Sequence, residues 1–148
     1  MAPNFDLKSF LPYRLSILSR RVSGLIAREY SQRFGMTLNE WRVMVVAAQG
    51  ELRTSSDICQ ITLMDKMTVS RAVKALVNKE FVSRLPSPQD RRLHHITLTQ
   101  SGRDTYAEVM PLARAYETQL LARLSDSEHG ALGTILTKLG DAALELDQ

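Results

Sequence analysis

A mainly α-helical chain carrying one small β-hairpin is the fold this sequence predicts, and three observations predict it. Apolar residues recur at spacings of three and four over long stretches near both ends, the period of one helical face. Two Ser/Thr-x-x-Glu signatures, at Thr37 to Glu40 and Ser125 to Glu128, mark helix starts. Only two short runs, Phe81 to Leu85 and Leu93 to Leu98, read as strands, with a polar turn between them. The 148 residues suit one domain, 1–148, long enough to bury a core without staples.

Each element has its own warrant. From Phe10 to Phe34, Leu11, Leu15, Leu18, Val22 and Leu25 fall on one face of a long helix; Pro12 fits its first turn and Gly35 its C-terminal stop. Thr37 caps a second helix through Trp41 and Val45 to about Gln49. Residues 50–53 break that pattern, and Thr54 or Ser55 caps a short helix containing Ile58 and Ile61. After Thr62-Leu63-Met64, Asp65 caps a helix from Lys66 to Lys79, with Val69, Ala72, Val73, Leu76 and Val77 on its apolar face. Met67, Ser70, Arg71, Lys74 and Asn78 lie opposite. The hairpin follows, with Pro86 to Arg92 as its loop. Thr99 then caps a helix running to Leu124, in which Pro111 predicts a kink. The last helix sets Leu132, Ile135, Leu136, Leu139 and Leu146 on one side.

The composition excludes several function classes. No apolar run approaches the roughly 20 residues of a membrane span, and Met1 to Phe10 lacks the basic leader and apolar stretch of a signal peptide, so a cytoplasmic location is expected. One cysteine and three histidines fall short of a metal cluster, and Cys59 reads as a small core residue rather than a redox sensor. No nucleophile elbow, phosphate-binding glycine loop or zinc-protease motif occurs, so neither an enzyme nor a cofactor is expected. Net charge is only +3, but Arg53 to Arg103 holds nine Lys and Arg against four Asp and Glu, whereas Ser125 to Gln148 holds one lysine against five acids. The positive field therefore belongs to the middle of the chain, where it suits a phosphate backbone.

The order helix, helix, short helix, turn, helix, hairpin, helix, helix, basic only at its centre, is a winged helix-turn-helix flanked by helices. A helix of this size with a small, polar and cationic outer face can enter a major groove, while a basic loop beside it reaches the minor groove. Along nearly its whole length the chain resembles the MarR family of transcriptional regulators. The most specific part is the wing signature Asp-x-Arg, five residues, Leu-Thr, two residues, Gly, met here by Asp90, Arg92, Leu98, Thr99 and Gly102. Asp65 to Arg71 is similar to the start of the family's recognition helix, and Thr37 to Val43 to the start of its second helix. Glu80 departs from the glycine that many members place after the recognition helix, so it must take a left-handed conformation or the helix must end differently.

The resemblance implies a sequence-specific DNA-binding regulator, a repressor released by a small aromatic or anionic ligand. The alternatives are a constitutive DNA binder or activator, and a winged helix used for protein contacts. It implies a DNA-binding lobe at 37–99 and dimerisation helices at 5–34 and 100–148, hence a homodimer on near-palindromic double-stranded DNA. Arg92 reaches the minor groove, Asp90 orients it, and Arg91 meets phosphate. Otherwise Ser-Pro-Gln-Asp-Arg-Arg is only a solvated hairpin tip. Lys66, Thr68, Ser70, Arg71 and Lys74 carry the recognition-helix contacts, and Arg84 is a phosphate candidate with a structural ion pair as its alternative. Tyr13, Arg14 and Arg42 are the effector candidates, again with ion pairing as the alternative for the arginines. His94 and His95 alternate across a strand, so at most one faces such a pocket.

Overall fold

The described residues of this computed structural model are 4–50 and 52–148. The leader reading over residues 1–3, and the part of residue 51 in the break after the second helix, lie outside them. The element order is α1 (Leu11–Phe34), α2 (Leu38–Ala47), β1 (Arg53–Thr54), α3 (Ser55–Thr62), α4 (Lys66–Asn78), β2 (Val82–Pro86), β3 (His94–Leu98), α5 (Gln100–Leu121) and α6 (Asp126–Leu146). One compact unit ends at Leu112 and a second runs Ala113–Gln148.

Capping chemistry sets the helix starts in both units. Thr37 accepts the Glu40 N–H at 3.2 Å, Thr54 accepts the Asp57 N–H at 3.2 Å, and Ser125 accepts the Glu128 N–H at 3.2 Å; each acid reaches back to the cap's own N–H. The Thr54–Asp57 box was not among the sequence expectations, because those allow an aspartate only as a cap and not as the returning acid. Hydrogen bonds from the Thr54 N–H and hydroxyl hold the Asp57 carboxyl below its ordinary range.

In the first unit, α2, α3 and α4 close on a core that includes Trp41, Val43, Met44, Ile58, Val73 and Leu76, with Tyr30 and Val109 reaching it from α1 and α5. On α4 the buried residues are Val69, Ala72, Val73 and Leu76, where each fully buried Val or Leu contributes roughly 1.5–3 kcal/mol. Val77, expected on that face, is instead 36% exposed: the apolar stripe ends one residue earlier because the chain turns away at Lys79. Cys59 is half-buried against the same core. The expected hairpin is part of a three-stranded antiparallel sheet in the order β1-β3-β2, with β1 pairing Arg53 with Ile96 and Thr54 with His95.

The junction around the end of α4 explains half of the wing signature. Glu80 takes the left-handed conformation, φ 61°, while the Phe81 N–H bonds the Leu76 carbonyl at 2.9 Å and the Glu80 N–H bonds the Val77 carbonyl at 3.0 Å. That is a Schellman stop with glutamate in glycine's usual place. The Thr99 hydroxyl donates to the Glu80 carbonyl and accepts the Gly102 N–H, and the Thr99 N–H donates to the Phe81 carbonyl. A Cβ on Gly102 would lie 1.9 Å from the Phe81 oxygen. Leu-Thr-x-x-Gly is thus the clasp that fastens the start of α5 to the end of α4.

In the second unit no residue of α6 is buried; Leu132 is half-buried, and Ile135, Leu136, Leu139 and Leu146 are exposed. In the first unit, Leu11, Leu15, Leu18 and Leu25 of α1 are exposed too. α5 stays helical through Pro111 and ends at Leu121, three residues before the expected Leu124, with the Leu124 N–H tightened onto the Leu121 carbonyl. Among the described residues no helix is long and apolar enough to cross a membrane.

Candidate nucleic-acid interface

The recognition helix begins at a rigid cap. Asp65 accepts the Thr68 N–H and the Thr68 hydroxyl, both at 2.8 Å, and these bonds hold its carboxyl below the usual aspartate range. Thr68, a sequence candidate for DNA contact, is half-buried with its hydroxyl hydrogen committed to that cap, so it shapes the helix start. Lys66, Ser70, Arg71 and Lys74 are all exposed, the last three on the face opposite Val69, Ala72, Val73 and Leu76.

The wing tip is a built loop. Ser87 is buried; its N–H bonds the Leu93 carbonyl at 2.9 Å, the Leu93 N–H bonds the Asp90 carbonyl at 3.0 Å, and its hydroxyl accepts the Gln89 N–H. These bonds carry Asp90 and Arg92 to the end of the hairpin. There the Arg92 Nε and Nη2 each donate to one Asp90 oxygen at 3.2 Å, and the Arg92 N–H adds a third bond at 3.0 Å. The guanidinium is 90% exposed even so. A bidentate pair fixes both the position and the plane of the arginine while leaving its other edge free to donate. Bonds from the Arg92 side chain and N–H hold the Asp90 carboxyl below its ordinary range.

The recognition helix and the wing meet at a cleft of about 400 Å³, lined by Lys66, Ser70, Arg84 and Arg92 together with Thr54, Ser55, Ser56 and His94. Four of the sequence candidates therefore share one concave surface. Arg84 forms no ion pair among the described residues and stands exposed at the base of the wing. Arg91 is exposed at the tip beside Arg92, whereas Arg71 and Lys74 continue along α4 outside the cleft. Sequence reasoning missed Ser55, Ser56 and His94. The signal for the serines was their place in the first turn of the capped α3, and for His94 its alternation with the half-buried His95.

The effector candidates are not brought together. Tyr13 and Arg14 line a depression of about 660 Å³ along the first turns of α1 with Lys8, Leu11, Leu15 and Arg21. Arg42 lines a different cleft of about 610 Å³, with Trp41, Leu38, Val45, Gln49 and Ile61. Trp41 stacks on Tyr30 at 5.6 Å and on Tyr106 at 5.8 Å between ring centroids. Burial pushes the Tyr30 hydroxyl above the ordinary phenol range, and the charge of Arg42 opposes that shift. The Tyr30 hydroxyl is buried with no hydrogen-bond partner among the described residues. Among those residues no cluster of His, Cys, Asp or Glu has the make-up of a metal site.

Comparison with known proteins agrees with this geometry. A sequence pattern described as the MarR family matches residues 34–93, which hold α2 to the wing tip. The chain is 30% identical over 92 residues to the HTH-type transcriptional regulator YwaE of Bacillus subtilis, covering 62% of this chain and 53% of YwaE, so the match spans about half of that relative's length. A MarR/EmrR family transcriptional regulator from Acinetobacter sp. ADP1 superposes with a TM-score of 0.86 at 26% identity, over 95% of this chain and 99% of that one. BpsR of Bordetella bronchiseptica shares the fold, with a TM-score of 0.82 at 21% identity over 94% of this chain and 99% of BpsR. In its fold, its helix-turn-helix sequence and its wing, the chain is similar to the MarR family of winged helix-turn-helix transcriptional regulators.

Proposed function

We propose that the protein is a homodimeric repressor that binds a near-palindromic site in double-stranded DNA and is released by a small anionic aromatic ligand. The observation that carries the DNA reading is the shared cleft, in which Arg92, held by Asp90, stands beside Lys66, Ser70 and Arg84. Arg71, Ser70 and Lys74 read the major groove, Arg92 enters the flanking minor groove, and Lys66, Arg84 and Arg91 neutralise phosphates. Thr68 acts through its cap on α4.

Two exposed apolar faces support the dimer: Leu11, Leu15, Leu18 and Leu25 on α1, and Ile135, Leu136 and Leu139 on α6. Exposed apolar patches of this extent mark interaction surfaces. A twofold pair of recognition helices fits half-sites one helical turn apart. For the ligand, Arg42 offers a cation in the cleft beside α1, next to the apolar Leu38, Val45 and Ile61, and BpsR is a protein whose DNA binding is regulated by 6-hydroxynicotinic acid. Tyr13 and Arg14 belong to a separate depression, which leaves Arg42 as the effector contact of the three.

Salt tests the reading. A dimer meeting about six to ten phosphates loses about 10³- to 10⁵-fold in affinity between about 50 and about 200 mM salt. A flat response would move the function to protein contacts.

A further inference from the structure

One residue on the outer face of the recognition helix does not fit a purely polar interface. Met67 is the second residue of α4 and 64% exposed, and it is absent from the residues that build or pack against the core. It lies three and four positions before Ser70 and Arg71, which places its side chain beside theirs on one face. That face is otherwise made of Ser70, Arg71, Lys74 and Asn78, all exposed. Folding gains nothing from a thioether left in water among cations.

The surface that such a face meets supplies the reason. The first turn of a recognition helix is the part that approaches base edges in a helix-turn-helix complex. Among the groups by which the bases are told apart in the major groove, the apolar one that projects into it is the 5-methyl of thymine. Methionine is long, unbranched and polarizable, so it reaches an apolar group of uncertain height without a rigid fit. Asp65 fixes the turn that carries it. We propose that Met67 is a specificity-determining residue that reads a thymine 5-methyl group in each half-site, next to the base or bases met by Ser70 and Arg71. This rests on the DNA reading of the preceding subsection.

The test removes the methyl group from the DNA and the thioether from the protein. A preferred duplex is selected from random DNA, each thymine is replaced in turn by deoxyuridine, and affinities are measured for the parent, Met67→Ala and Met67→Leu. One thymine among the inner positions of each half-site should be the sensitive one, its replacement weakening the parent about fourfold per half-site, the worth of one buried methyl. Met67→Ala should bind the thymine and deoxyuridine duplexes equally, and Met67→Leu should restore the preference. The thymine-to-uracil ratio is internal to each protein, so a change in folded fraction does not move it. A selected half-site without thymine, a parent indifferent to every replacement, or a Met67→Ala protein that keeps the full penalty would overturn the inference while leaving DNA binding intact. Absence of binding to any duplex would overturn the DNA reading and this inference with it.

Discussion

Arg92 is nine-tenths exposed and yet held in one place, and that combination is what the proposed groove contact requires. An unrestrained arginine at a loop tip loses rotamer freedom when it binds, whereas the Asp90 fork has already spent most of it. The bonds from Arg92 lower the Asp90 pKa. A carboxyl whose folded pKa is depressed contributes above its unfolded value, about 3.9 for aspartate, and its contribution is lost as pH falls through the folded value. The fork should therefore stay intact from about pH 5 to pH 8. Asp90→Asn should weaken binding to A·T-flanked sites by the same factor across that range, measured by fluorescence anisotropy against the parent. A factor that collapses to one near pH 5 would mean that Asp90 loses its charge far above the range this geometry sets. The pairing of Asp90 with Arg92 was legible only through the resemblance of the wing signature, and the structure contains it. The separation of Tyr13 and Arg14 from Arg42, which line different depressions, was not legible, since how α1 and α2 pack is a tertiary matter that no spacing encodes.

At the scale of elements, caps and stops carried most of the legible fold. Thr37, Asp65 and Ser125 each begin a helix where a side-chain oxygen can take an amide, and Gly35 ends α1 at φ 62°. Two-residue β1 escaped notice because it exists only through its pairing with β3; Arg53-Thr54 carries no strand signal alone. The end of α4 was legible as a tension: glutamate where the stop favours glycine. Glu80 does adopt the left-handed conformation, which costs a non-glycine residue roughly 1–2 kcal/mol, partly offset by the extra freedom glycine would have unfolded. Glu80→Gly should accordingly stabilise the protein by about 0.5–1 kcal/mol in urea unfolding, without changing which DNA it prefers. Destabilisation would mean that the Glu80 side chain makes a contribution its surroundings do not reveal.

For the whole molecule, the division of labour follows charge and exposure. The basic middle of the chain builds the lobe with the cleft, while α1 and α6 leave apolar residues in water that one copy alone does not cover. Deleting residues 125–148 removes Ile135, Leu136 and Leu139, each worth on the order of 1.5–3 kcal/mol once buried against a partner, and should abolish the proposed dimer. Sedimentation that finds the dimer intact would move the interface to α1 alone or elsewhere. The fold class and the wing were readable because periodicity and the wing signature are written in order along the chain; the lining of the clefts was not, because a pocket is a property of surfaces meeting. The central claim is that wing and recognition helix read DNA by different physics, and one measurement tests it most directly: affinities of the parent, Arg92→Ala and Arg71→Ala over a set of sites varied separately at inner half-site positions and in the flanks. Arg71→Ala should lose discrimination worth roughly 1–3 kcal/mol among inner bases. Arg92→Ala should bind less tightly, most of all where A·T-rich flanks narrow the minor groove, and should keep the inner consensus. An Arg92→Ala protein that binds every site as tightly as the parent would contradict the account and return the wing tip to a solvated turn.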